Sequence, residues 1–268
     1  MEEIAFAKIN LALHVRAREP DGFHRIETIF AFCEDGDRLE VGEGEGLSLR
    51  VSGPFAATLT GGEDNLVLRA ARALKEGFGV ERGAALKLDK RLPVAAGLGG
   101  GSADAAAALR LLSRWWGLEA GAAELLALAA PLGADVPACV ASRSARGEAR
   151  GDRLEPWHDA RVAAAPILLL NPGVPLSTAA VFRAWDGEDS GPLRELESSR
   201  NDLEPAAMAL VPEIADALEA LEGARIARMS GSGATCFGLY FSEADRDAAA
   251  ARIGAARPLW WQLSTRLR

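Results

Sequence analysis

The sequence predicts a mixed α+β protein, an α/β two-layer arrangement of helices on sheets divided into two domains. Three observations carry this. The first fifty residues alternate like strands, a cluster of glycines near residue 100 feeds an alanine-rich helical run, and the last third alternates helix and strand patterns. With 268 residues the chain is long for one compact domain and comfortable for two. The expected boundary falls near residue 160, giving segments 1–160 and 161–268.

Taken in order, "IAFAKINLALHVR" and "RLEVGEGEGLSLRVSG" read as strands, with Pro20-Asp21-Gly22 as a turn between them. Residues 66–76 place Leu66, Ala70, Ala73 and Leu74 on one helical face, and Gly77 and Gly79 stop that helix. "ALKLDK" alternates as a strand into the glycines. Two helices, 103–116 and 120–130, join around Gly117. "DVPACVAS" and "APILLL" read as strands, with a hairpin across "RGEARGDRLEP" between them. Helices at 177–185 and 205–222 follow, then a hairpin across "RIARMSGSGATCFGLYF", a helix at 243–253 and a last strand, "LWWQLS".

Composition narrows the function. Apolar residues are 49% and charged ones 25% of the chain, a globular balance. A net charge of -8 argues against nucleic acid or an anionic membrane as partner, where a basic face would supply affinity. It leaves room for a small anionic ligand held by a few cations and backbone amides. The apolar run Val162 to Leu170 is interrupted by Pro166 and is too short for a span. Cys33, Cys139 and Cys236 are scattered, without metal spacing, and read as reduced core thiols. The opening "MEEIAF" lacks the basic-then-apolar order of a signal peptide, so a cytoplasmic location is expected. Only Lys8, Lys75, Lys87 and Lys90 are lysines among thirty basic residues, and Asn and Gln are equally scarce (Asn10, Asn65, Asn171, Asn201, Gln262). A lysine in this chain is seldom filler.

The richest motif is "PVAAGLGGGSADAAAA", from Pro93 to Ala108. It is not a P-loop, because Gly101 is followed by Ser102-Ala103 rather than Lys-Ser/Thr, and a dinucleotide fingerprint would need glycine at 102. The physics of anion binding survives both failures. Glycines let backbone N–H groups close on an anion, and the helix behind offers free amides and a positive dipole end. Ser102 suits the N-cap of that helix. Asp104 in the first turn would repel a phosphate, so it should point away or act through a metal ion.

These residues resemble the phosphate loop of the galactokinase, homoserine kinase, mevalonate kinase and phosphomevalonate kinase (GHMP kinase) superfamily. "AKINLAL", "DGFH", "EDNLVLRAA", "DKRLP", "LGADVP", "NPG" and "SGSGAT" agree with it in order along nearly the whole chain. The resemblance implies a GHMP kinase-like two-domain fold, with an N-terminal ribosomal protein S5 domain 2-like part and a C-terminal ferredoxin-like part. It implies ATP as phosphoryl donor with Mg²⁺ beside it, the metal's protein ligand being unassigned. Pro93, Val94, Ala95, Ala96, Gly97, Leu98, Gly99, Gly100, Gly101, Ser102 and Ala103 would hold the phosphates, and Asn65 and Lys90 would lie near the adenine. Asn65 also suits a helix N-cap.

Lys8 and Asp135 resemble the superfamily's catalytic lysine and aspartate. Asp135, between Gly133 and Pro137, is expected at the start of a strand. A lysine within an apolar strand is costly unless its head reaches water or an anion. "DGFH" and the triple glycine point to the branch whose acceptor is a cytidine diphosphate conjugate of methylerythritol, phosphorylated on its 2-hydroxyl. Phe23, His24 and Phe182 would then grip the cytosine, Asn10 and Thr178 would assist, and Phe23 stands where Tyr is common. The resemblance implies a monomer or weak homodimer. The alternatives are a homoserine or mevalonate kinase, or a non-catalytic nucleotide-binding relative. Retention of both Lys8 and Asp135 speaks against the last.

Overall fold

A computed structural model describes residues 1–59 and 64–268. Glu63, which opens the "EDNLV" motif, lies outside the described residues. The chain divides into two compact units that do not follow a single cut at residue 160. The first comprises Met1–Lys8, Asp35–Val94 and Gly99–Ser142, and the second comprises Ile9–Glu34, Ala95–Leu98 and Arg143–Arg268. Two long strands, β1 (Glu2–Arg18) and β2 (His24–Gly42), run through both. The central residues of β1 are buried without alternation, as expected of a strand covered on both faces.

In the first unit, β3 (Leu47–Ser52) and β4 (Ala84–Asp89) pair in parallel, and β4 pairs antiparallel with β2 from Arg38 to Gly42. A parallel pair needs a crossover, which α1 (Leu66–Gly77) supplies. Asn65 caps that helix, its side chain accepting from Val67 N at 2.9 Å. The helix α2 (Gly100–Trp116) packs between α1 and α4 (Val136–Ala141), and α3 (Ala122–Ala129) lies between α2 and α4 in the chain. Ala103 and Ala105–Ala108 are all buried; their small side chains let neighbouring helices approach closely.

The second unit carries the hairpin of β5 (Ala145–Glu148) and β6 (Arg153–Pro156), with β5 paired to β2. It also holds a sheet of β7 (Pro166–Asn171), β8 (Ile226–Met229), β9 (Cys236–Leu239) and β10 (Trp261–Arg266), in the order β10-β7-β9-β8 and antiparallel throughout. Fourth, first, third, second is the ferredoxin-like order the resemblance implied. The helices α5 (Thr178–Ala184), α6 (Glu204–Leu210), α7 (Glu213–Ala220) and α8 (Glu243–Ala256) complete it. Leu168, Leu170, Val181, Trp185, Leu203, Ile214, Leu221, Met229 and Ile253 form its core.

Three sequence expectations are corrected. "DVPACVAS" is the helix α4 and not a strand; Pro137 stands in its first turn, where a missing N–H costs nothing. The helix expected over 205–222 is two, α6 and α7, because Pro212 has no N–H to continue the ladder and its ring crowds the preceding turn. The helix after the glycine loop starts at Gly100, so Ser102 sits inside its first turn and is not the N-cap. Gly99 takes that position at φ 59°.

A coil between α5 and α6 is pinned to β1 by His14, whose ring is buried. Its Nδ1 donates to Gly191 O at 3.0 Å and its Nε2 accepts from Arg200 N at 3.4 Å, so the ring must be neutral. Burial first, and then Arg200, holds its pKa below 6.5 against the pull of the Gly191 carbonyl, Asp202 and Glu27. A folded pKa below the unfolded one means stability present above about pH 6.5 and lost as pH falls through the folded value. Thermal melting should therefore drop between pH 7 and 5 more steeply in the wild type than in His14→Gln. Equal losses would remove His14 from that role.

Candidate active site

The local fold puts Asp135 at the end of a short helix with its side chain unspent. It is the N-cap residue of α4 but makes no capping bond. Its Oδ2 lies 2.9 Å from Lys8 Nζ, with side-chain exposures of 35% and 4% respectively. Lys8 comes from the strand β1 and is nearly out of water, a costly position for an ammonium without a partner. Asp135 keeps an open face through which it can accept a proton. The far end of α4 is fixed by Arg110 of α2, whose Nη1 donates to Cys139 O at 2.7 Å and to Val140 O at 3.3 Å. Cys139, one turn after Asp135, is inert, because burial and the nearby Asp135 push its thiol up to about 12.

The glycine loop meets this pair at Gly99. A Cβ there would stand 2.7 Å from Lys8 Cε, and the residue's φ of 59° is one that side chains rarely adopt. Only glycine lets the lysine stem lie against the start of α2. No side chain caps α2, so the N–H groups of its first turn remain for an outside acceptor. Ala95 and Gly97 also have positive φ, 52° and 78°, and a Cβ on Gly97 would fall 2.2 Å from Ser230 O. Ser230 Oγ donates to Gly97 O at 2.8 Å and accepts from Asn10 N at 3.1 Å. Ala96 O accepts from Thr235 N. The "SGSGAT" turn between β8 and β9 thus buttresses the middle of the loop.

Sequence reasoning missed the residues that hold that turn. Asn201 Nδ2 donates to Met229 O and Gly231 O at 2.8 and 2.7 Å, and Asn171 Nδ2 donates to Thr235 Oγ1 at 2.8 Å. The signal was the scarcity of amides: of the chain's five, those of Asn171 and Asn201 both bond this turn, while Asn10 reaches it through its backbone N–H.

Lys90, expected near the adenine, has its side-chain head in a buried ion cluster. Its Nζ is buried and donates to Asp37 Oδ2 at 2.5 Å and Asp104 Oδ2 at 2.7 Å. Burial alone would lower the ammonium; the two carboxylates outweigh it and hold Lys90 above its ordinary value. Burial pushes the Asp104 carboxyl up to about 7 against the pull of Lys90, with the Asp37 charge adding to the rise. Asp104 thus points to Lys90, the first of the two orientations its position allowed.

In the second unit, His24 and Phe182 pack with ring centroids 4.8 Å apart, tilted by 40°, and Trp185 meets His24 edge-on at 5.7 Å. Trp185 was not singled out in the sequence. Arg18 Nε donates to His24 Nε2 at 3.3 Å. Burial first, then Arg18, keeps the His24 pKa low, so the neutral ring has Nδ1–H as donor. Phe23 is 56% exposed, with the Arg150 guanidinium 4.1 Å above its ring and paired to Asp21. Thr178 Oγ1 shares a hydrogen bond of 2.8 Å with Ser232 Oγ, and the Asn10 side chain donates to Thr28 Oγ1 at 2.8 Å. His24, Phe182 and Trp185 therefore form an aromatic cluster with one polar edge, Phe23 stacks under Arg150 instead, and Asn10 and Thr178 stand with the glycine turn.

An ion pair against a loop of free amides, and aromatic rings with a neutral imidazole, suit phosphoryl transfer and recognition of a planar base. Residues 65–143 match the GHMP kinases N terminal domain and residues 182–258 the GHMP kinases C terminal domain. The chain is 54% identical to the 4-diphosphocytidyl-2-C-methyl-D-erythritol kinase of Rhizorhabdus wittichii, covering 99% of this chain and 94% of that protein. It is 48% identical to the kinase of the same name from Sphingopyxis alaskensis, over 100% and 99%. A crystal structure of 4-(cytidine 5'-diphospho)-2C-methyl-D-erythritol kinase superposes with a TM-score of 0.85 at 36% identity, covering 100% of this chain and 99% of that one. The Methanococcus jannaschii mevalonate kinase shares the fold, with a TM-score of 0.71 at 10% identity, covering 100% of this chain and 98% of that one. About half identical to named kinases along its whole length, the chain belongs to the GHMP kinase family, in the branch of the 4-diphosphocytidyl-2-C-methyl-D-erythritol kinases.

Proposed function

We propose that this protein transfers the terminal phosphoryl group of ATP to the 2-hydroxyl of 4-diphosphocytidyl-2-C-methyl-D-erythritol, a step of non-mevalonate isoprenoid precursor synthesis. The observation that carries the reading is the Lys8–Asp135 pair, 2.9 Å apart, with the lysine stem against Gly99 of the glycine loop. Phosphoryl transfer asks for positioning and charge neutralisation more than for covalent chemistry. Asp135 takes the proton of the acceptor hydroxyl as its oxygen attacks. Lys8 orients that carboxylate and steadies charge growing on the oxygen. Residues 93–103 hold the phosphates through backbone amides and the start of α2.

Magnesium belongs with the ATP phosphates, where it supplies charge neutralisation. Among the described residues no three His, Cys, Asp or Glu side chains gather as a ready metal site, and Asp104 is engaged by Lys90, so no protein ligand is assigned. Asn65 and the backbone near Lys90 are proposed for the adenine side. Segment 1–160 is proposed as the ATP-binding part and 161–268 as the substrate side, with His24 and Phe23 of the first segment joining the second at the cytosine, in a cytoplasmic monomer or weak homodimer.

His24 and Phe182 are proposed to grip the cytosine, with Phe23 and Trp185 beside them. His24→Ala or Phe182→Ala should raise the KM for the cytidine substrate about tenfold, from lost stacking and edge contacts, and leave the KM for ATP unchanged. Equal effects on both substrates would take these residues out of base recognition. The function itself is tested by offering ATP with the cytidine substrate, mevalonate or homoserine, and locating the phosphate on the product by NMR. Phosphorylation of the 2-hydroxyl of the cytidine substrate alone is expected; preference for mevalonate or homoserine would sink the reading.

A further inference from the structure

The reaction as proposed leaves the buried cluster of Lys90, Asp37 and Asp104 without a role. None of the three is more than 3% exposed, and taking three charges out of water is costly. Well-packed apolar side chains would stabilise the fold as well. What the cluster fixes is a position. Asp37, on β2, accepts through Oδ1 from the backbone amides of Arg91 and Leu92 at 2.6 and 2.8 Å. Its Oδ2 accepts from Lys90 Nζ, which also donates to Asp104, the fifth residue of α2. Residues 90–92 immediately precede Pro93, where the glycine loop opens, and Asp104 directly follows Ala103, where it ends. A Cβ on Gly100 would stand 3.0 Å from Lys90 Nζ, so the cluster lies directly against the first residue of α2. Both ends of the loop are thus tied to one carboxylate.

We propose that Asp37 is a positioning residue for ATP, setting where the glycine loop leaves β4 and, through Lys90, where the first turn of α2 stands. Asp37 does not touch the reacting atoms; it preorganises the amides that do the binding. The inference rests on the loop being the phosphate site. Its effect falls on ATP and not on the cytidine substrate, because the cluster's hydrogen bonds hold the two ends of the loop. A shift of the loop by about 1 Å is enough to weaken binding severalfold or more.

The test is steady-state kinetics on the full chain with each substrate varied, together with calorimetric binding of a non-hydrolysable ATP analogue. Asp37→Ala should raise the KM for ATP by about tenfold or more and leave that for the cytidine substrate within about twofold. Asp37→Asn keeps an acceptor for both amides but turns an N–H donor toward the Lys90 ammonium, and should raise the ATP KM by an intermediate amount, about threefold to fivefold. Asp37→Glu keeps the charge but adds a methylene, and should raise the ATP KM by about fivefold in a folded protein. That variant decides the matter if the alanine form does not fold. Unchanged ATP KM in the glutamate and alanine variants, or equal rises for both substrates, would overturn the inference. Wild-type protein that binds no ATP analogue would overturn the reading of the loop itself.

Discussion

Asp135→Asn is expected to lower kcat by about 10³-fold, within the range that a positioned general base contributes. Binding should survive. The side chain caps nothing, is partly open to solvent, and as an amide still presents an oxygen to Lys8 Nζ, so that the buried ammonium keeps a partner. KM values for ATP and the cytidine substrate should stay within about threefold, and thermal melting should move little. A purified variant turning over within about tenfold of wild type would remove Asp135 as the base.

Lys8→Met is expected to cost about 10²-fold in kcat, the usual scale for one stabilising donor. The fold should tolerate it. Methionine is close to lysine in length, fills the stem's place against Gly99 and removes a nearly buried charge, while Asp135 remains hydrated on its open side. The Asp135→Asn/Lys8→Met double variant should be no slower than Asp135→Asn by more than a fewfold, because the two groups act as a unit. A rise in both KM values with kcat unchanged would make Lys8 a binding residue.

Much of the proposed site could be read in the sequence because its chemical signals are local. Lys8 stood out as a lysine in an apolar strand of a lysine-poor chain, and the clustered glycines named their own backbone needs. The strand order of the second unit also followed from the resemblance. The errors came where context overrides local pattern. "DVPACVAS" has the β-branched, apolar look of a strand; packing against α2 and the Arg110 clamp make it a helix and turn Asp135 toward Lys8. Ser102 looked like a cap, and Gly99 took the position because φ there is positive.

Asp37 gave no signal at all in "EDGDRLE", where it reads as one surface acid among several. The sequence by itself determined which groups the chain carries: glycines that can close on a phosphate, a lysine and an aspartate proposed for the transfer, and aromatics with a histidine proposed for a base. Tertiary structure alone decided which charges meet. Lys8 finds Asp135 across 127 residues and Lys90 finds Asp37 across 53, and at such separations only the packed fold sets the partner. A buried charge must have one, but the chain's local order does not say which.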